Sequence, residues 1–176
     1  MAEKTLLAED PELFDACVGL VRHATAAGVT LGCAESCTGG LVAGCLTAVP
    51  GSSAVVRGGV VSYAIEVKRN LLGVCDEVLD AAGVGAVSPE CAAQMAEGAR
   101  GALGCDVAVS ITGIAGPGGA EPGKPVGTVW MGLATPVGTR TFSHLFSGDR
   151  AEVRHAAVAR AVELLCGGVV EASRLG

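Results

Sequence analysis

Ser36 lies in the run Ala34-Glu35-Ser36-Cys37-Thr38-Gly39-Gly40, between a short apolar stretch, Val29 to Ala34, and a helical apolar run, Leu41 to Val49. That places its hydroxyl at a strand-to-helix turn. Backbone N–H groups at the helix start face whatever the hydroxyl touches, which suits a nucleophile with an oxyanion site beside it. On local pattern alone, Ser36 or Thr38 is more readily an N-cap. A nucleophilic serine also needs a base, and none of His23, His144 and His155 falls in a segment that suggests one. Lys68 is the usable alternative. It follows an apolar strand and Tyr63, where partial desolvation would depress its pKa enough to accept a proton, although a lone helix lysine is more often solvated. Cys37 is the rival nucleophile, because a thiol at a helix N-terminus has a lowered pKa. It ranks below Ser36, since Cys33, Cys37 and Cys45 recur at multiples of four, as apolar substitution along one face would produce.

A second segment with chemical potential is the glycine-rich stretch Gly113 to Pro125, whose backbone amides could cradle a phosphate. Gly118 to Lys124 matches the GxxxxGK start of a P-loop, but Pro125 stands where the motif needs Ser or Thr, and Val126 to Ala134 reads as a strand where it needs a helix. A structural turn, or a lid over a small phosphorylated ligand, fits better. Arg150 opens the last helix and could pair with an anion bidentately or simply be solvated.

The elements that must position these residues alternate. Asp10-Pro11 caps a helix that Gly28 ends, and Val55 to Tyr63 is a strand interrupted by Gly58-Gly59, a bulge or a close backbone approach. Glu66 to Gly73 is a short helix. Ser88-Pro89 opens a longer one running to Gly104, and Asp106 to Thr112 is a buried strand. Val126 to Ala134 and Thr139 to Phe146 form an antiparallel pair; Asp149 to Glu152 has the spacing of a capping box, opening a final helix that ends near Gly167-Gly168. The expected fold is α/β, a single three-layer α/β/α domain over residues 1–176 with a mixed sheet.

Composition narrows the function classes. With 12 Lys plus Arg against 18 Asp plus Glu and 3% aromatic residues, the chain is poorly equipped to neutralise phosphates or stack bases, so nucleic acid is disfavoured. Eight cysteines without a CxxC pair argue against a structural zinc. The first residues, MAEKTLLAEDPE, lack a basic and then apolar leader, and no stretch reaches the roughly 18 apolar residues of a membrane span, so a cytoplasmic protein with reduced thiols and no membrane partner is expected. The 27 glycines read as turns and close backbone approaches rather than as disorder.

The segments AESCTGGLVAGCLT (34–47), PGSSAVVRGGVVSYAIEVKRNLLGV (50–74), GAVSPECAAQMAEGAR (85–100), SITGIAGPGG (110–119), KPVGTVWMGLAT (124–135) and FSGDR (146–150) resemble, in order, the CinA carboxy-terminal domain family. Its enzymatic members are nicotinamide-nucleotide amidohydrolases. The resemblance implies hydrolysis of nicotinamide mononucleotide to nicotinate mononucleotide and ammonia, in pyridine nucleotide recycling, by a homodimer without metal or cofactor. It also implies a catalytic set of Ser36 as nucleophile, Lys68 as base and Tyr63 orienting the lysine or the substrate. Amides near Thr38, Gly39 and Gly40 hold the oxyanion in this reading. Thr112 and Gly113 line the substrate, and Arg150 meets the 5′-phosphate. One departure stands out: where the family often has Asn, this chain has Ile65. Two other readings compete with the amidohydrolase, namely a catalytically silent domain that binds a nucleotide or partner protein, and a magnesium-dependent nucleotide hydrolase that would depend on Lys124.

Overall fold

The computed structural model describes residues 10–175; the reading of the extreme amino terminus as leaderless lies outside that range for residues 1–9. Five strands, β1 (Leu31–Glu35), β2 (Val56–Val61), β3 (Val107–Gly113), β4 (Thr128–Thr135) and β5 (Gly138–Leu145), form one sheet ordered β2-β1-β3-β4-β5. β2, β1 and β3 run parallel, while β4 and β5 are antiparallel additions, so the sheet is mixed. Among the described residues the α-helices are α1 (Pro11–Ala27), α2 (Leu41–Thr47), α3 (Ile65–Leu72), α4 (Asp76–Leu79), α5 (Pro89–Leu103) and α6 (Arg150–Ala172).

Strand alternation decides which helices cover which face. Leu31 and Cys33 of β1, with Val107, Val109 and Ile111 of β3, join the core formed with α1, α2 and α6. Ala34 and Ala108 point the other way, into a smaller core with α3, α4 and α5. The result is the expected three-layer α/β/α arrangement.

Local signals explain most of the boundaries. The Asp10 carboxylate accepts from Leu13 N–H, Ser88 Oγ accepts from Cys91 N–H, and Asp149 with Glu152 completes a reciprocal capping box. Gly58-Gly59 turns out to be both a bulge and a close approach. β1 and β2 slip register between Leu31 and Gly32, and a Cβ on Gly59 would lie 2.7 Å from Cys33 Sγ and 2.9 Å from Ala43 Cβ. Its absence lets α2 sit directly on the sheet.

The last helix departs from expectation, running through Gly167-Gly168 to Ala172. The pair is not a stop signal. A Cβ on Gly168 would lie 2.6 Å from Val107 Cγ1, so this glycine allows the helix to press against β3. The short α4 was not anticipated, because four residues are too few to show a period.

Candidate active site

β1 ends at Glu35, and the ladder to β3 continues one step further, with Ser36 N–H donating to the Ile111 carbonyl at 2.9 Å. β2 leaves on one side of β1 and β3 returns on the other. Sheets of this kind bind ligands in the crevice beyond the carboxyl ends of such neighbouring strands. Because Glu35 pairs with Ile111, the register sets Ser36 beside Thr112 at that crevice.

Lys68 enters from α3, on the opposite side of β1. Its Nζ lies 2.9 Å from Ser36 Oγ, 2.5 Å from the Ser62 carbonyl and 3.5 Å from the Tyr63 carbonyl. The side chain is 1% exposed, and none of the ion pairs among the described residues includes it. Burial pushes its pKa down, and only the nearby thiols of Cys91 and Cys37 pull the other way. In the neutral amine two N–H groups serve the two carbonyls. The lone pair is then left facing the Ser36 hydroxyl, the geometry a general base requires. Ser62 is itself held by β1, its N–H donating to the Glu35 carbonyl at 2.7 Å.

The turn after Ser36 is held from two sides. Its Gly39 N–H donates back to the Ser36 carbonyl at 3.2 Å, and Gly39 and Gly40 take φ values of 64° and 97°, a left-handed region that side chains disfavour. The buried Glu35 carboxylate accepts from the N–H groups of Gly40, Val42 and Ala43 at 3.0, 3.1 and 2.9 Å. From α6, Arg154 donates through Nε to the Cys37 carbonyl at 3.1 Å and through Nη2 to the Thr38 carbonyl at 2.9 Å. The amides of Gly39 and Gly40, expected as oxyanion donors, are therefore already engaged. Among the described residues, the N–H groups of Cys37 and Thr38 have no intramolecular acceptor, and Thr38 Oγ1 is buried without any hydrogen-bond partner. A buried polar atom left unpaired in this way is costly unless a ligand or water meets it.

The other expected site residues are placed as follows. Thr112 is buried with Oγ1 donating to the Ala86 carbonyl at 2.6 Å, which ties the segment before α5 over the crevice. Gly113 is closely overlain, since a Cβ there would lie 2.6 Å from the Thr128 carbonyl oxygen. Arg150 donates to the Gly116 carbonyl at 2.8 Å, joining the first turn of α6 to the glycine-rich loop. Tyr63 reaches Lys68 through its backbone only; its side chain is exposed. Ile65 lies in the first turn of α3, also exposed.

Two alternatives from the sequence lose ground. Cys37 is buried, and burial pushes its thiol up to about 11, the reverse of an activated thiolate. Lys124 is tied to the Val84 carbonyl at 2.6 Å and to Glu121 at 3.1 Å within a small β-bridge, and the chain then enters β4 rather than a helix. Three contributors were not read from the sequence: Glu35, Arg154 and the Ser62 carbonyl. A carboxylate preceding a serine offers a weak signal for the first. Nothing local signals an arginine 117 residues away from the carbonyl it binds.

Fold and site together define an α/β domain with a buried serine–lysine pair at a switch point of its sheet. The chain belongs to the CinA C-terminal domain family, whose model matches residues 17–168. It is 51% identical over 146 residues to a CinA-like protein of Anaeromyxobacter dehalogenans, covering 83% of this chain and 35% of that protein. A CinA-like protein of Geobacter metallireducens is 46% identical over 160 residues, 91% of this chain and 38% of that one. The chain thus spans about a third of the length of the curated relatives it matches. Solved structures are matched over nearly their whole length. Competence/damage inducible protein CihA from Agrobacterium tumefaciens superposes with a TM-score of 0.84 at 41% identity, covering 88% of this chain and 94% of that one. A CinA superfamily protein from Klebsiella pneumoniae gives 0.85 at 36% identity, covering 91% and 99%.

Proposed function

We propose that the domain is a nicotinamide-nucleotide amidohydrolase that converts nicotinamide mononucleotide to nicotinate mononucleotide and ammonia. The observation that carries this reading is the 2.9 Å contact between Lys68 Nζ and Ser36 Oγ, with both groups buried and the lysine without a carboxylate partner among the described residues. A serine–lysine pair of this kind has no evident structural purpose, because a buried unpaired ammonium is costly and an apolar side chain would fill the space more cheaply.

In the first step neutral Lys68 takes the proton of Ser36 as Oγ attacks the carboxamide carbon. The carbonyl oxygen becomes an oxyanion, which the free N–H groups of Cys37 and Thr38 are available to stabilise. Thr38 is retained from the sequence-based expectation, and Cys37 takes the place of Gly39 and Gly40, whose N–H groups are engaged. Lys68, now protonated, returns its proton to the departing nitrogen, and ammonia leaves. Water, deprotonated by the same lysine, then hydrolyses the Ser36 ester and releases the acid. Thr38 Oγ1 and Arg150 are offered as substrate contacts, Arg150 to the phosphate.

Purified protein should release ammonia from nicotinamide mononucleotide, and more slowly or not at all from nicotinamide. Ser36→Ala should abolish release. Full activity in that variant would exclude the serine mechanism.

A further inference from the structure

We infer that Arg154 is a positioning residue that builds the oxyanion site by holding the Ser36 turn from behind. The inference rests on the Ser36 nucleophile of the proposed function.

Its guanidinium binds two successive carbonyls, those of Cys37 and Thr38, at 3.1 and 2.9 Å. In a trans peptide the C=O and the following N–H point in opposite directions. Drawing both carbonyls toward α6 therefore turns the N–H groups of Thr38 and Gly39 away from it. The Gly39 N–H closes the turn on the Ser36 carbonyl, and the Thr38 N–H is left without an acceptor.

Glu35 does the complementary work on the other side, absorbing the N–H groups of Gly40, Val42 and Ala43. Unpaired among the described residues of the segment are Cys37 N–H, Thr38 N–H and Thr38 Oγ1, all within two residues of the nucleophile, and Leu41 N–H at the start of α2. Such donors stabilise an oxyanion only if their direction is set before the reaction begins. A planar fork that grips two carbonyls sets it directly for Thr38 N–H, and for Cys37 N–H through the Gly39 N–H that holds the Ser36 carbonyl; a lysine, a single point of charge on a flexible stem, does not. Gly39 is favoured by its φ of 64° rather than by the fork, since a Cβ there would meet Arg154 Nη2 only in ordinary contact at 3.6 Å. Arg150, one helical turn earlier, binds the Gly116 carbonyl and not this turn, so the two arginines divide the work.

The test compares wild type, Arg154→Lys and Arg154→Ala by two readouts. One is kcat and KM for nicotinamide mononucleotide; the other is the rate at which a fluorophosphonate labels Ser36, where Oγ displaces fluoride from phosphorus and Lys68 takes the proton. Arg154→Lys should lower kcat and the labelling rate by roughly 100-fold, with KM within about threefold and the pH midpoint set by Lys68 unmoved. If Arg154→Lys does not fold, Arg154→Ala with millimolar guanidinium takes its place, and added guanidinium should restore part of the lost rate. Labelling of Arg154→Lys at the wild-type rate would overturn the inference. So would a raised KM at unchanged kcat, which would make Arg154 a substrate contact. Should the wild type take the label but release no ammonia, the amide substrate is wrong while the labelling rates still decide the role of Arg154. A wild-type Ser36 that takes no label would overturn nucleophile and positioning residue together.

Discussion

Tyr63 meets Lys68 through its backbone: the carbonyl lies 3.5 Å from Nζ, while the side chain is 63% exposed. The phenol therefore does not orient the lysine. Tyr63→Phe should leave the pH midpoint of kcat/KM where the wild type has it, because the carbonyls that hold the amine are unchanged. Any loss should fall on KM, through a substrate contact of the exposed ring. A shifted midpoint in this variant would restore the hydroxyl to the base.

Lys68, the base of the proposed mechanism, carries a cost in stability through its burial. The unfolded chain keeps the ammonium proton up to about 10.5, whereas burial makes the folded chain release it earlier. Where the unfolded state binds more protons, stability rises with pH. So the Lys68 penalty is fully present below its lowered folded pKa and fades as pH climbs from there to about 10.5. Lys68→Met fills the same space without a polar group. At neutral pH it should be more stable than wild type by about 1–3 kcal/mol and lose turnover by roughly 100-fold or more. Denaturant titrations at neutral and alkaline pH should show the gap between variant and wild type narrowing as pH rises.

Cys37 lies beside Ser36, buried, with its thiol pushed up by that burial. With its pKa pushed up to about 11, roughly one thiol in ten thousand is ionised at pH 7. Iodoacetamide should leave Cys37 unmodified in the folded protein over the time in which it alkylates the unfolded chain, as peptide mass mapping would show. Cys37→Ala should keep most of the wild-type turnover.

Gly167 and Gly168 are adjacent in α6 yet should respond oppositely to the same change. Nothing lies within 4 Å of a Cβ on Gly167, so Gly167→Ala should gain close to the helix-propensity difference, about 1 kcal/mol. At Gly168 the added methyl meets Val107 and Leu133 at 2.6 and 3.2 Å. Gly168→Ala should lose about 1–3 kcal/mol through overpacking. Thermal melts of the two variants would check both signs.

The same glycines mark where sequence reading reached its limit. Asp10-Pro11, Ser88-Pro89 and the Asp149 capping box are legible because a cap is a local chemical event, and Gly28, Gly73 and Gly104 end their helices for a local reason. Gly167-Gly168 has the composition of a stop, but the deciding fact, a β3 side chain beneath Gly168, lies 61 residues back in the chain. The site divides along the same line. Ser36 and Lys68 could be named from residue type and their own surroundings, although 32 residues separate them. Glu35 and Arg154 act on backbone atoms, and backbone partners leave no mark on residue type. Gly39 and Gly40 were read as free donors for that reason: which amides stay free depends on what neighbouring groups have already taken.

The most direct test of the central claim, a Ser36 nucleophile activated by Lys68, is to trap the acyl-enzyme. Acid quenching during turnover of nicotinamide mononucleotide, followed by proteolysis and mass spectrometry, should find the nicotinate mononucleotide acyl group esterified to Ser36. That adduct should be absent from Ser36→Ala and sharply reduced in Lys68→Met. An adduct on Cys37, or ammonia release by Ser36→Ala at the wild-type rate, would contradict it.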